Sequence, residues 1–373
     1  MIKVLNIISD SNIGGAGRCI INFLKYYDRS KFDVKVVVPR GSTLIPAISK
    51  LNNECIETDN IAEKSFDMKA ISGLRVVIYE FKPDIVHTHG NLSGRIAARL
   101  EGTRILYTRH SVFPVSKRIS KGIGKFINKA LNEYLADDII AVAEAAKDNL
   151  TEGGISPSKI KVILNGVEKV EKLSNEEKKQ VRKEFGLSKE DFVVGIMARM
   201  EPYKGHSFLI EAAGILKNKG KNIKVVIMGT GSIEDELLNM VKDKKLEDTV
   251  MFTGFVSDVG KLLNIMDLQA NASYGTEATS LALLEGMSLG IPAVVSDYGG
   301  NPGVITHGEN GYIFKLKDSI DMAKCIEKLI DNKEIYEYMK KRSKEIFSSK
   351  FTAQIYAENI EKVYEELSER RSY

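Results

Sequence analysis

Two glutamates, Glu277 and Glu285, stand eight positions apart in the run from Tyr274 to Val295, and they are the pair in this chain best spaced to act on one ligand. The first lies in a glycine-containing turn after the apolar run Leu268 to Ala272, and the second lies inside a segment of helical periodicity. The pattern predicts a helix that begins near Thr279 and carries Glu285 about 9 Å along its axis, at roughly 1.5 Å per residue. The N-terminus of such a helix offers unpaired backbone N–H groups and the positive end of a dipole, a seat for phosphate. A carboxylate on either side of a phosphate seat suits a ligand built as hydroxyls, diphosphate, hydroxyls, which describes a nucleotide diphosphate sugar. On spacing alone, a surface glutamate and a helix-side glutamate with no shared role fit equally well.

Other residue types point the same way, each beside a plainer reading. Arg199 and Lys204 follow the predicted strand Phe192 to Ala198, at the strand end where ligands of open α/β sheets bind. A guanidinium and an ammonium there can neutralise a departing diphosphate without a metal; solvated loop cations are the alternative. Gly14-Gly15-Ala16-Gly17 separates the first strand from the first helix, and such glycines let backbone approach phosphate. It is not the dinucleotide fingerprint, because the third glycine is missing and the second strand ends in Pro39-Arg40 rather than an acidic ribose ligand. A tight turn without a ligand remains the other possibility. His87 and His89 share one face of a strand, yet no third ligand lies near in sequence, so no metal is expected. His110 ends its strand at the edge where ligands bind.

Ser116 to Lys129 carries Lys117, Arg118, Lys121, Lys125 and Lys129 with no acid, interleaved with Ile119, Ile123, Phe126 and Ile127. That is a basic amphipathic pattern able to lie on anionic lipid, or to form a solvated helix face. Gly122 and Gly124 weaken it as a helix.

The elements that must position these residues alternate. Apolar runs at Val4 to Ser9, Asp33 to Val38, Asp84 to Thr88, Arg104 to Thr108, Asp138 to Ala143 and Ile160 to Leu164 read as buried strands. Arg18 to Tyr27, Met68 to Phe81 and Leu92 to Leu100 read as helices between them. A charged stretch, Glu168 to Glu190, then reads as the connection and first helix of a second unit. Strands restart at Phe192 to Ala198, Ile223 to Met228, Val250 to Thr253, Leu268 to Ala272 and Pro292 to Ser296. Their helices are Ser207 to Lys217, Glu234 to Val241, Val259 to Ile265 and Thr279 to Leu289. The expected class is α/β, with two Rossmann-like, doubly wound parallel-sheet domains and a ligand cleft where strand ends face each other. The expected boundaries are 1–168 with a returning helix at 351–373, and 169–350.

Taken together, the motifs resemble those of retaining family 4 glycosyltransferases, whose fold is GT-B and whose signature is E-x7-E. The resemblance rests on Glu277 to Glu285, the Gly14 to Arg18 turn, Pro83 to His89, Tyr107 to His110, Val162 to Val167, Arg199 with Lys204-Gly205, Phe252-Thr253-Gly254-Phe255 and Asp297 to Pro302. It implies a sugar donor bound by Gly14, Gly15, Gly17, Arg199, Lys204, Gly254, Glu277, Ala278, Thr279, Ser280, Leu281 and Glu285. Glu285 would take ribose hydroxyls, Glu277 the sugar, and His110 would lie near the sugar. The implied catalytic set is Glu277, His110, Arg199 and Lys204. The nucleotide is expected to be UDP, with no metal and no cofactor besides the donor, and the acceptor a glycan or a lipid-linked glycan of the cell surface. The last helix is implied to cross back to the N-terminal domain. Ala143, Gly17, Ala278 and Gly303 stand where the family usually has Ser, Glu, Gly and Glu. A sugar-nucleotide epimerase of the same fold, or a silent nucleotide-sugar binding protein, are the alternatives.

Composition narrows the classes. At 373 residues the chain can hold two or three domains, and its 54 Lys and Arg against 50 Asp and Glu give no nucleic-acid footprint. Cys19, Cys55 and Cys325 are scattered and odd in number, which suits reduced thiols in the cytoplasm. No leader pattern and no apolar run of membrane-spanning length is read, so the expectation is a cytoplasmic protein, with peripheral contact to anionic membrane through 116–129.

Overall fold

The computed structural model describes residues 1–59, 61, 66–256 and 258–370. The chain divides into two compact units: Met1–Val167 together with the segment from Thr352 onward, and Glu168–Phe351. Each junction lies one residue from its expected position.

Unit 1 opens with β1 (Ile2–Ile8), α1 (Gly15–Tyr26), β2 (Phe32–Pro39), α2 (Leu44–Ser49) and β3 (Glu54–Thr58). It continues through α3 (Met68–Phe81), β4 (Ile85–His89), α4 (Leu92–Leu100) and β5 (Arg104–Arg109). Then come α5 (Lys117–Ser120), α6 (Gly122–Tyr134), β6 (Asp138–Ala141), α7 (Glu144–Glu152) and β7 (Ile160–Val162). The strands pair in parallel in the order β3-β2-β1-β4-β5-β6-β7. Val4, Leu5, Ile7 and Ile8 of β1 are all buried, as a strand covered on both faces requires. Leu74 and Ile78 of α3 and Ala97 of α4 pack on one face with Leu5, Ile7, Val86 and Ile105.

Unit 2 begins with α8 (Asn175–Glu184), β8 (Phe192–Met197), α9 (His206–Asn218), β9 (Ile223–Met228) and α10 (Glu234–Asp243). It runs on through β10 (Val250–Gly254), α11 (Val259–Leu263), β11 (Leu268–Asn271), α12 (Leu281–Leu289) and β12 (Ala293–Ser296). It closes with α13 (Asn301–Val304), β13 (Gly311–Phe314), α14 (Ser319–Asp331) and α15 (Lys333–Lys350). Its sheet is parallel in the order β10-β9-β8-β11-β12-β13. Ser174 opens α8 with a capping box, its hydroxyl accepting from Glu177 N–H while Glu177 Oε2 takes the Ser174 N–H at 2.8 Å. The chain then breaks at Phe351-Thr352, and α16 (Ala353–Glu369) returns to unit 1, where Tyr364 is wholly buried against Phe23 and His87.

Three features differ from the sequence expectation. The edge strands β3 and β13 were not foreseen, being short and, in β3, half-exposed with two glutamates. The helix with Glu285 starts at Leu281 rather than near Thr279, because Ser280 takes the N-cap and accepts from Leu283 N–H at 3.4 Å. The basic run forms two helices, since Gly122 turns the chain at φ +59 after Lys121. Ala143 occupies the N-cap of α7 with no side-chain bond, so the serine usual in the family would add a cap worth about 1 kcal/mol. Among the described residues no helix is long and apolar enough to cross a membrane.

Candidate active site

Both sheets carry their candidate residues at the C-terminal ends of the strands, around the point where the strand order reverses. In unit 2 that point lies between β8 and β11. The loop after β8 brings Arg199 and Lys204, and the loop after β11 brings Glu277. Lys204 Nζ lies 2.8 Å from Glu277 Oε2, and Ser273 Oγ donates to the same oxygen at 2.8 Å. Glu277 is buried, and both of these bonds fall on Oε2. Gly205 makes the approach of the two loops possible. It holds φ +72, and any Cβ there would strike the Ala272 carbonyl. Tyr274 N–H then donates to Tyr203 O at 2.8 Å, and Gly300 N–H to Glu277 O at 3.1 Å, which fixes the glutamate from both sides. Arg199 is exposed, its Nη2 3.4 Å from Tyr203 Oη.

The segment after Glu277 leads directly into α12. Ala278 is buried, Thr279 and Ser280 are half-buried, and Leu281 is the first helical residue. Glu285 is a buried carboxylate four residues further on, about 6 Å along the axis. Gly286 beside it admits Gln269 of β11, whose Nε2 donates to Leu283 O at 3.1 Å. Gly254 ends β10 and accepts from Gly229 N–H at 2.9 Å.

In unit 1 the strand order reverses between β1 and β4. Gly14 caps α1 and Gly15 opens it, both exposed, with Gly14 close to Asp10, whose carboxyl burial pushes up. Gly17 differs from its expected place in a ligand loop. It lies buried within α1, and a Cβ would come 2.7 Å from Leu44 Cδ2, so the position serves packing against α2. A neutral imidazole chain follows. His87 Nδ1 and Nε2 bond Tyr364 Oη and Thr108 Oγ1, each at 2.7 Å. His89 Nε2 bonds Asn6 Oδ1 at 3.0 Å, and His89 Nδ1 meets His110 Nε2 at 2.8 Å. With Asn6 Oδ1 as acceptor, His89 carries its proton on Nε2 and accepts from His110 Nε2–H. The His110 Nδ1 lone pair is then left as an acceptor. Burial pushes His87 down to about 3, His110 down to about 4, and His89 well below the usual value.

The structure thus gathers Lys204, Glu277, Ala278 to Leu281 and Glu285 in one unit, and His110 with Gly14 and Gly15 in the other. Among the described residues no three His, Cys, Asp or Glu gather in a metal-binding group. Two contributors went unread in the sequence. Ser273 carries no local signal. Gly229-Thr230-Gly231 does, as a glycine turn straight after an apolar strand, and Met200 N–H donates to Thr230 O at 2.9 Å there.

Comparison with known proteins adds an independent line. Residues 13–170 match the family described as Glycosyltransferase Family 4, and residues 177–346 match Glycosyl transferases group 1. The putative glycosyltransferase EpsD of Bacillus subtilis (strain 168) is 28% identical over 330 residues, 84% of this chain and 84% of that protein. The UDP-Gal:alpha-D-GlcNAc-diphosphoundecaprenol alpha-1,3-galactosyltransferase of Escherichia coli is 31% identical over 281 residues, 72% of this chain and 71% of its own length. HepE of Anabaena, solved in complex with UDP, superposes with a TM-score of 0.85 at 22% identity, covering 98% of this chain and 100% of that one. The two doubly wound units are those of the GT-B fold.

Proposed function

Because the chain belongs to the family 4 glycosyltransferases, we infer that it moves a sugar from a nucleotide diphosphate sugar to an acceptor hydroxyl, with retention at the anomeric carbon and without a metal. The observation that carries this reading is the buried Lys204–Glu277–Ser273 cluster beside the start of α12, with Glu285 in the same helix. Ribose hydroxyls go to Glu285, diphosphate to the α12 N-terminus with Arg199 and Lys204, and sugar hydroxyls to Glu277 Oε1. UDP is the nucleotide, by analogy with the UDP named for HepE and for the Escherichia coli relative. No cofactor besides the donor is assigned.

In the reaction, the bond from the anomeric carbon to the diphosphate oxygen breaks and leaves its electrons on the diphosphate. The acceptor oxygen bonds to the same face of that carbon, and its proton passes to a diphosphate oxygen. Support for this course comes from the weakness of His110 as a base. Burial pushes it down to about 4, so it is not tuned to take a proton near neutrality. Arg199 and Lys204 supply the positive charge that stabilises the leaving diphosphate. The setting is assembly of cell-surface polysaccharide or glycolipid, with the basic run at 116–129 meeting anionic membrane.

A thermal-shift panel of UDP-, GDP- and ADP-sugars tests donor and base. A UDP-sugar at about 100 times its Kd adds about 2.7 kcal/mol of stability. Proton NMR of the product from an α-linked donor should then show an α linkage, with the rate retained in excess chelator. A β product, or loss of rate that Mg²⁺ or Mn²⁺ restores, overturns the retaining or the metal-independent part respectively.

A further inference from the structure

Helix α6 is built inside out. Its polar residues make its bonds to the rest of unit 1. Asn128 Nδ2 donates to Gly153 O at 2.8 Å, Asn132 Oδ1 accepts from Arg95 Nη1 at 3.0 Å, and Glu133 Oε1 accepts from Ser156 N–H at 2.9 Å. None of its residues is buried, and Ile123, Phe126 and Ile127 are 80%, 72% and 58% exposed. Ile123, Ile127 and Leu131 recur every four residues and so form one stripe along the helix.

That stripe ends at a cavity of about 440 Å³, walled by Leu131, Ile119, Phe113 and Tyr107 and by two arginines, Arg95 and Arg109. No aspartate or glutamate lines it. Arg95 is only 7% exposed, its guanidinium 4.4 Å from the centre of the Tyr107 ring, and its Nε has no hydrogen-bond partner. Arg109 Nε donates to Ser111 O at 3.0 Å, and its Nη2 lies 3.5 Å from Asn149 Oδ1. Every acceptor that holds these two guanidiniums is therefore neutral. Asparagines and a carbonyl fix their geometry and leave their charge in place. A buried charge without compensation is costly, and two of like sign more so. An anion in the cavity would relieve both.

We propose that this cavity seats the phosphate or diphosphate group of an amphiphile, whose apolar chain leaves along Leu131, Ile127 and Ile123 of α6. The amphiphile is the acceptor, which rests on the proposed transfer of a sugar to an acceptor hydroxyl. The segment that carries the stripe is basic: Lys117, Arg118, Lys121, Lys125 and Lys129 lie within residues 116–129, which contain no acid. An anionic headgroup layer complements that surface, and an apolar chain complements the stripe.

Calorimetric titration with three probes tests the proposal: geranyl diphosphate, inorganic pyrophosphate and geraniol. The titrations are run in excess UDP so that the nucleotide site is occupied, and repeated without UDP on Arg199→Ala protein. The second series reads the cavity even if UDP does not bind, which keeps failure of the donor reading separate. Geranyl diphosphate should bind at least ten-fold tighter than either other probe. Arg109→Gln should weaken it roughly ten- to hundred-fold, as loss of a charge-assisted contact predicts. Arg95→Lys, which keeps a buried cation for folding, should also weaken it. Phe126→Ser with Ile127→Ser should weaken geranyl diphosphate and leave pyrophosphate unchanged. Binding insensitive to Arg109→Gln, or matched by pyrophosphate or by geraniol, overturns the proposal.

Discussion

Where the strand order reverses in unit 2, an ammonium and a carboxylate meet at 2.8 Å with a serine hydroxyl on the same oxygen; in unit 1 the corresponding strand ends are joined by imidazoles, all held neutral by burial. The two sheets share the order of their first six strands. The difference lies in the loops and in the polar residues that the buried strand ends carry. Unit 2 balances charge locally, so a ligand that brings a diphosphate and hydroxyls can exchange with partners already present. Unit 1 spends buried polar capacity at its strand ends on neutral hydrogen bonds and holds Arg95 and Arg109 by neutral acceptors alone. In the proposed function, the same topology gives one unit the leaving group to hold and the other what receives the sugar.

The largest effect that can break this contrast concerns Lys204. If unit 2 supplies the leaving-group charge, Lys204→Ala should lower turnover about 10²- to 10³-fold, the magnitude of losing one preorganised electrostatic contact to a transition state. Lys204→Arg should recover part of that, since the charge returns in a different shape. A loss below ten-fold in steady-state turnover of the donor would remove Lys204 from the reaction and leave it as a structural partner of Glu277.

Acid should separate the units next. His87 is held at about 3 in the folded chain against about 6.5 when unfolded, so the unfolded state binds the proton first as pH falls. The stability that neutral His87 provides is whole above about 6.5 and is lost as pH falls towards its folded value. Between pH 7 and 5 its share is about 2 kcal/mol. His89 and His110 act in the same direction in unit 1, whereas unit 2 has only His206 buried and pushed down, to about 4. Hydrogen exchange read by mass spectrometry at pH 7 and 5 should show peptides of β4 and β5 losing more protection than those of β8 and β11. Equal loss, or earlier loss in unit 2, would mean that the imidazole chain does not set the acid stability.

Much of this contrast could be read from the sequence, and the parts that could not have physical reasons. Met68–Phe81 and Leu92–Leu100 are helices over the residues that periodicity indicated, because long amphipathic stripes against a sheet leave a 3.6-residue signal. The β8 and β9 strands read clearly as apolar runs covered on both faces. β13 is four residues at a sheet edge, too short to stand out from a loop. Glu277 and Glu285 stood out by resemblance to the E-x7-E signature rather than by spacing alone, yet the bond from Lys204 to Glu277 spans 73 residues and exists only because Gly205 lets two loops meet. The asparagine-held arginines had no local signature, since their acceptors lie 37 and 40 residues away on other elements.

The smallest effect is also the most discriminating. In the proposed donor pose, Glu285 meets ribose hydroxyls, which are present in free UDP as well as in the whole donor. Glu285→Gln should weaken UDP by about 1.5 kcal/mol, the order expected when a charged acceptor becomes neutral. Glu277, assigned to the transferred sugar, has nothing to hold in free UDP. Glu277→Gln should therefore leave UDP affinity nearly unchanged and lower turnover, because the sugar is held less well as positive charge develops on it. His110→Ala supplies the comparison from unit 1: it removes a ring joined only to His89 in the imidazole chain, and UDP affinity should not change. Calorimetric titration of UDP into the three variants, beside donor turnover, reads all of this at once. If His110→Ala costs as much nucleotide affinity as Glu285→Gln, the division of labour between the units is wrong. If Glu277→Gln loses UDP affinity and Glu285→Gln does not, the division stands and the donor runs the other way along α12.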